Sequence, residues 1–136
     1  MKFPKWLRVY GDKNYRGPCP PEEAEHITFI NTLRRDYPDL SRIAIHPKNE
    51  GRRNLKQALE EKALGSLNKG APDIIIPGKI TLLCELKQQN HIKSTLLSGQ
   101  QEYLLAAHNF GAFTCVALGC DAAIQAVEDW IVLISG

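Results

Sequence analysis

The sequence predicts an α/β domain, a four-stranded mixed sheet flanked by helices in the order α-β-α-β-β-α-β-α. Short apolar segments bounded by glycine and proline are typical of strands. Longer segments repeat apolar residues every three or four positions, as amphipathic helices do. The chain has 136 residues, 43% of them hydrophobic and 24% charged, which suits one soluble domain with its own core.

Residues 1–20 are expected to form a basic arm, or a short strand, ahead of a single domain at residues 21–136. Proline and glycine interrupt this segment, and its cations outnumber its acids. The basic residues are Lys2, Lys5, Arg8, Lys13 and Arg16, against Asp12. Uneven charge of this kind favours a phosphate-binding surface, and Lys5 and Arg8 are candidate DNA contacts.

The first predicted helix begins near Pro21 and ends before Tyr37. Glu22 and Glu23 stand in its first turn, where the helix dipole favours anions. Pro38 disfavours helical geometry at the residue before it.

A strand and a second helix are predicted next. Residues 42–47 alternate, with Ile43 and Ile45 on one face, and therefore predict a strand. Residues 54–67 have helical spacing, and Gly70 follows as a stop signal.

The remaining elements are a hairpin, a helix, a strand and a helix. The hairpin is predicted over residues 72–87, with its turn at residues 77–79. A third helix begins at Leu97 or Ser98 and ends near Phe110. A strand follows over residues 112–118, and Asp121 can cap the last helix. The helix between the third and fourth strands allows a parallel crossover.

Charged residues interrupt both strands of the predicted hairpin. Asp73 opens the first strand, and Glu85 and Lys87 stand near the end of the second. Unpaired charges are costly inside a sheet, so they rarely lie there without partners or a task. With a turn centred near residue 78 or 79, Asp73 faces residues 83–85, and cross-strand neighbours lie about 5 Å apart. Two such carboxylates can hold one hard divalent cation.

This arrangement matches the needs of phosphodiester hydrolysis. A bound Mg²⁺ polarises the phosphoryl oxygen and acidifies a bound water. Side chains alternate along a strand, so Lys87 shares the face of Glu85. Its ammonium can orient the water or neutralise developing charge.

Pro72-Asp73, followed after eleven residues by Glu85-Leu86-Lys87, resembles the PD-(D/E)XK nuclease signature, and its flanks resemble the VRR-NUC family. The likeness covers roughly residues 21–120. Four further features carry it: the Gly70-x-Pro72-Asp73 box, Glu25-His26, the Asn49-Glu50-Gly51 segment, and a helix start with Ser98, Gln100, Gln101 and Tyr103.

The resemblance implies a restriction-endonuclease-like core and an Mg²⁺ site, where Mn²⁺ would also serve. It implies that Asp73, Glu85 and the backbone carbonyl of Leu86 face the metal. It also implies that one carboxylate of the first helix, Glu25 in preference to Glu22, completes the site. One glutamine should lie near the site, and the sequence does not decide between Gln100 and Gln101.

The sequence therefore predicts a DNA endonuclease. Its resemblance to stand-alone members of the family, many of them viral, implies selectivity for branched or junction DNA and a viral or prophage type. The DNA contacts expected beyond the arm are Asn49, Arg52 and Arg53. The alternatives are a non-catalytic DNA-binding subunit that kept the fold, and a nuclease acting on RNA. A symmetric homodimer is expected, because residues 130–134 form an apolar run too wide for one helix face.

Several other classes are not expected. No apolar stretch approaches the length of a membrane helix, and residues 1–20 lack a signal-peptide core, so the expected location is the cytoplasm, of the host cell if the chain is viral. Residues 65–70 lack the lysine and hydroxyl of a P-loop, so no nucleotide cofactor is expected.

Overall fold

The structure, a computed structural model, describes residues 1–47, 55–63 and 70–136. Within those ranges it forms a mixed sheet with helices on both faces, as the sequence predicts. The strands are β1 Arg8–Tyr10, β2 Ile74–Ile76, β3 Leu82–Lys87 and β4 Phe113–Leu118. The helices are α1 Glu22–Asp36, α2 Pro38–Ile43, α3 Leu55–Ala63, α4 Ser98–Asn109 and α5 Cys120–Ser135. None of the helices in the described ranges is long and apolar enough to cross a membrane.

The sheet has the strand order β1-β4-β3-β2. β4 is parallel to both of its neighbours, and β2 is antiparallel to β3. The crossover from β3 to β4 passes through α4, as predicted. β3 and β4 are buried along their whole length, which explains their nearly continuous apolar sequence.

Apolar side chains fill both faces of the sheet. On one face Phe29 of α1 and Trp130 of α5 pack against Leu86 and Ala117. On the other face Leu104 of α4 belongs to a second cluster that includes Leu83 and Val116. Glu85 and Lys87 belong by alternation to this second face.

The strand predicted at residues 42–47 is wrong. Residues 38–43 form α2, and Ile45 makes only an isolated antiparallel bridge with Ile75. Pro38 is suited to the first turn of a helix because its φ is fixed and its missing N–H is not needed there. Two alternating isoleucines are a weak signal, and both stay about half exposed, Ile43 at 46% and Ile45 at 52%.

The fourth strand of the sheet comes from the N-terminal segment instead. β1 pairs with β4 in parallel, with Val9 opposite Val116. Leu7, just before it, is buried in the second cluster. Of the two expectations for residues 1–20, the short strand is therefore the one observed.

Candidate active site

The hairpin brings the two predicted carboxylates together. Ile74 pairs with Cys84, and the same register continued by one residue places Asp73 opposite Glu85. This agrees with the register that the sequence predicts. The side-chain carboxyls are close enough to interact directly, and that contact helps to raise the pKa of Glu85.

Pro72 ends the regular ladder between β2 and β3. The continued register places Pro72 opposite Leu86, and proline has no N–H to donate to the Leu86 carbonyl. The Leu86 amide donates instead to Oδ2 of Asp73, at 2.9 Å. Amide and carbonyl of one strand residue point to the same side, so the Leu86 carbonyl is directed toward Asp73 without a ladder bond from residue 72.

Glu85 is almost completely buried, with 2% of its surface exposed. Its Oε1 accepts a hydrogen bond from Nε2 of Gln100, at 3.2 Å. Its Oε2 is buried and accepts no hydrogen bond from any described residue. Burial, and then the neighbouring Asp73 carboxylate, raise the pKa of Glu85 to about 9, although Lys87 acts in the opposite direction.

Lys87 lies between Glu85 and the first turn of α1. Its Nζ is 3.9 Å from Oε1 of Glu85 and 3.9 Å from Oε1 of Glu22. The lysine side chain is only 10% exposed, whereas that of Glu22 is 48% exposed. Glu22 therefore stands at the solvent side of the site, with the ammonium between the two carboxylates.

Glu25, the preferred helix carboxylate from the sequence, faces another partner. It is buried, and its Oε2 accepts a hydrogen bond from the backbone amide of Cys120, the first residue of α5. A carboxylate at a helix N-terminus satisfies an amide that has no partner inside the helix. The geometry therefore favours the alternative, Glu22, as the helix carboxylate beside Lys87.

The two candidate glutamines are also separated. Gln100 donates to Glu85, and its Oε1 accepts from the Leu97 amide, at 2.9 Å. Gln101 donates to the Leu96 carbonyl, at 3.1 Å. The structure thus brings Gln100 into the site and leaves Gln101 to its own helix start.

Gly70 lets the start of α4 approach the hairpin. A Cβ built on Gly70 would lie 2.1 Å from the carbonyl oxygen of Gly99, so no larger residue fits without moving the backbone. This contact holds the first turn of α4, and with it Gln100, against the strand that carries Glu85.

The donor set suits a hard divalent cation. Mg²⁺ is usually bound through one or two carboxylates together with waters and substrate phosphates. Asp73 and Glu85 supply that pair, the Leu86 carbonyl adds an oxygen, and the buried Oε2 of Glu85 accepts no hydrogen bond from the described residues. No cluster of three or more His, Cys, Asp or Glu side chains that could hold a metal occurs in the part of the chain that the structure describes.

His46 is a neighbour of the site that the sequence does not single out. Its Nδ1 donates to the backbone carbonyl of Asp73, at 2.7 Å, and its ring lies edge-on to that of His26, with the centroids 4.4 Å apart. Both histidines line a cavity of about 590 Å³ that also touches Glu22 and Asp73. Neither histidine has metal-ligand spacing, so no local pattern reveals this contact.

Two of the predicted DNA contacts, Lys5 and Arg8, are not brought together with these groups. Lys5 is exposed just before β1, and Arg8 lies on β1 with its guanidinium 4.3 Å from the centroid of the Phe113 ring. β1 is the edge strand opposite to β2. Asn49, Arg52 and Arg53 lie outside the described residues.

Comparisons with known proteins bear on the fold. No known protein-family profile matches the sequence, and no curated protein matches it. A solved structure described as "VRR_NUC domain protein" matches with a TM-score of 0.69 and 22% sequence identity, over 85% of this chain and 92% of that one. The chain therefore has the fold of a VRR-NUC domain, as its motifs led us to expect.

Proposed function

We propose that this chain is a metal-dependent nuclease of the VRR-NUC type, within the PD-(D/E)XK superfamily, that hydrolyses phosphodiester bonds in DNA. One observation carries the proposal. Two carboxylates, Asp73 and Glu85, face each other across a hairpin beside Lys87 and Gln100, in a chain whose fold is that of a VRR-NUC domain.

Asp73, Glu85 and the Leu86 carbonyl would hold the metal. When bound there, Mg²⁺ or Mn²⁺ polarises a phosphoryl oxygen and lowers the pKa of a water. The buried Oε2 of Glu85 supports this assignment because a buried carboxylate oxygen is rarely left unpaired unless it has a task.

The surrounding side chains hold these oxygens in place. Gln100 fixes one oxygen of Glu85 and leaves the other available. The Leu86 amide fixes one oxygen of Asp73. Lys87 stands 3.9 Å from Glu85, where its ammonium can donate to the attacking water and offset negative charge at the phosphate. Glu22, on the solvent side of Lys87, helps to hold the ammonium between the two carboxylates.

Branched or junction DNA is the proposed substrate. The described residues form one sheet with its helices and contain no additional domain for reading base sequence. A single sheet with its helices is better suited to recognising the shape and backbone of DNA than its bases.

Cleavage of a labelled panel tests the proposal. The panel contains junction, flap, duplex and single-stranded DNA and an RNA duplex, each with Mg²⁺, Mn²⁺ or EDTA. Asp73→Ala, Glu85→Ala and Lys87→Ala should each slow cleavage by about a hundredfold or more, and double variants should be little worse because the three act as a unit.

Lys79→Ala is the matched control, since Lys79 is an exposed lysine in the turn at the opposite end of β3. It should cleave as the wild type does. Full activity in EDTA, or wild-type activity of Glu85→Ala, would refute the proposal. Binding without any cleavage would support the non-catalytic alternative, and cleavage of the RNA alone would reassign the substrate.

A further inference from the structure

A second polar cleft is lined by Lys87 and shares Glu22 with the cavity beside His46. It has a volume of about 370 Å³ and lies between β3, the first turn of α1 and the loop that leads into α4. Its lining includes the side chains of Lys87, Lys93, Ser94 and Thr95, together with Glu22 and Gln100.

Three consecutive residues of that loop supply hydrogen-bond donors. Lys93 and Thr95 are exposed, and Ser94 is half-buried. Within the described ranges, no hydrogen bond or ion pair is made by these three side chains. An ammonium and two hydroxyls in succession match the oxygens of a phosphate.

The loop is held at both ends. On one side His91 is buried, with 3% of its surface exposed, and its Nε2 donates to the Lys13 carbonyl at 2.8 Å. On the other side Leu96 is buried in the apolar cluster beneath α4. A hydrogen bond from the Ser94 amide to the His91 carbonyl closes the turn between them. The backbone that carries the three donors is therefore held in place, which lowers the entropic cost of ordering the loop on a ligand.

Charge in the cleft favours an anion. Lys87 and Lys93 are cationic, and Glu22 is the acidic residue of the lining. Glu22 already lies 3.9 Å from the Lys87 ammonium. Lys93 is therefore the cation of the cleft with no ion-pair partner among the described residues.

We propose that Lys93, Ser94 and Thr95 form a subsite for the backbone phosphate next to the one that is hydrolysed. This inference rests on the proposed function, because Lys87 lines this cleft and also lies 3.9 Å from Glu85 of the proposed active site, so that it would link the two phosphates. The subsite contacts backbone and not bases, so it sets the register of the strand over Asp73 and Glu85 without selecting sequence.

The test combines a loop variant with modified DNA. Lys93→Ala, Ser94→Ala and Thr95→Val are combined in one protein, with Lys79→Ala as the charge control. The probes are fluorescein-labelled junction and duplex DNA, unmodified or with one neutral methylphosphonate at each position around the cut. Binding is measured by anisotropy with Ca²⁺ over a range of salt, and cleavage with Mg²⁺.

The loop variant should bind unmodified DNA about tenfold more weakly. Its slope of log affinity against log salt concentration should be smaller by about one unit, as expected for the loss of one phosphate contact. One methylphosphonate beside the cut should weaken wild-type binding by a similar factor and leave the loop variant unaffected. Lys79→Ala should behave as the wild type. If the triple variant does not fold, the single Lys93→Ala carries the test, with Lys93→Arg restoring binding.

An unchanged affinity and salt slope in the loop variant would overturn the subsite. So would a methylphosphonate effect of equal size in wild type and variant. If the methylphosphonate weakens binding in the wild type but not in the loop variant, and no metal supports cleavage, the subsite would be supported and the nuclease proposal refuted. No binding to any nucleic acid would overturn both.

Discussion

At the scale of single residues, two glutamates one turn apart in α1 meet different surroundings. Glu22 is half exposed beside the Lys87 ammonium. Glu25 is buried at the first amide of α5, and the Cβ position of Gly119 is close to its carboxylate. One acid is therefore available to the site, whereas the other joins two helices.

Substituting each of these two glutamates separately distinguishes their roles. Glu25→Ala should lower the free energy of unfolding by about 1–3 kcal/mol, because it leaves a buried amide without its acceptor. Glu22→Gln should change stability little and slow cleavage, because Lys87 loses a charged neighbour. Urea titration and single-turnover cleavage measure the two effects. A fully stable Glu25→Ala variant without cleavage would return Glu25 to the site.

The proton on Glu85 predicts a pH dependence of the metal-free protein. A pKa raised to about 9 means that the folded protein holds a proton that the unfolded chain releases near the ordinary value of 4.5. The stabilisation of the folded state by this proton is therefore complete below the ordinary pKa of 4.5. It is lost as the pH rises to about 9. The slope over that window is on the order of 1 kcal/mol per pH unit.

Urea titrations in EDTA from pH 5 to 9 test this dependence. Glu85→Gln cannot ionise and should remove most of the slope, whereas Glu102→Gln, at an exposed acid of α4, should keep it. An equal slope in Glu85→Gln would show that another group is responsible.

At the scale of elements, the site depends on how closely α4 meets the hairpin. Gly70 and Gly99 touch at this junction, yet only Gly70 lacks room for a Cβ. The glycine of the Gly-x-Pro-Asp box therefore has a packing role, and the proline two residues later frees the Leu86 carbonyl.

Alanine substitutions at the two glycines should differ in their effect on stability and cleavage. Gly70→Ala should cost about 1–3 kcal/mol of stability and slow cleavage, because the start of α4 and Gln100 must move. Gly99→Ala meets no atom within 4 Å and lies in α4, so it should be neutral or slightly stabilising. Thermal melts and cleavage rates measure both, and a tolerated Gly70→Ala would contradict the packing argument.

At the scale of the whole molecule, the last helix leaves part of its apolar run uncovered. Trp130 is buried and donates from Nε1 to the Ile80 carbonyl, at 2.7 Å. Val132 and Leu133 remain 73% and 48% exposed. The interface proposed from residues 130–134 is thus reduced to its outer face, since Trp130 belongs to the core of its own chain.

We propose that this face supports a symmetric homodimer, which would supply two active sites for the two cuts that a four-way junction requires. Light scattering at micromolar concentration should give twice the mass of the chain, and Val132→Lys with Leu133→Lys should give a monomer. The exposed Phe110, at 95%, provides a control through Phe110→Lys. A wild type that stays monomeric on junction DNA and nicks one strand would refute the dimer.

The sequence by itself determined the hairpin and its three charged residues. Asp73, Glu85 and Lys87 lie within fifteen residues of one another, and strand alternation with a short turn fixes their relative positions. Local rules suffice because no other element is needed to set that register. Three of the four strands and the α4 crossover also followed from periodicity.

Only the tertiary structure decided which remote residues join the hairpin. Glu22 and Glu25 share one helix face, and Gln100 and Gln101 are adjacent, so periodicity does not separate them. The N-terminus of α5 binds Glu25 and so leaves Glu22 to the site. The approach of α4 to Gly70 brings Gln100, and not Gln101, to Glu85. The place of β1 beside β4, and the helix where residues 42–47 predict a strand, were decided in the same way. Such choices depend on packing between elements far apart in sequence, which no local pattern encodes.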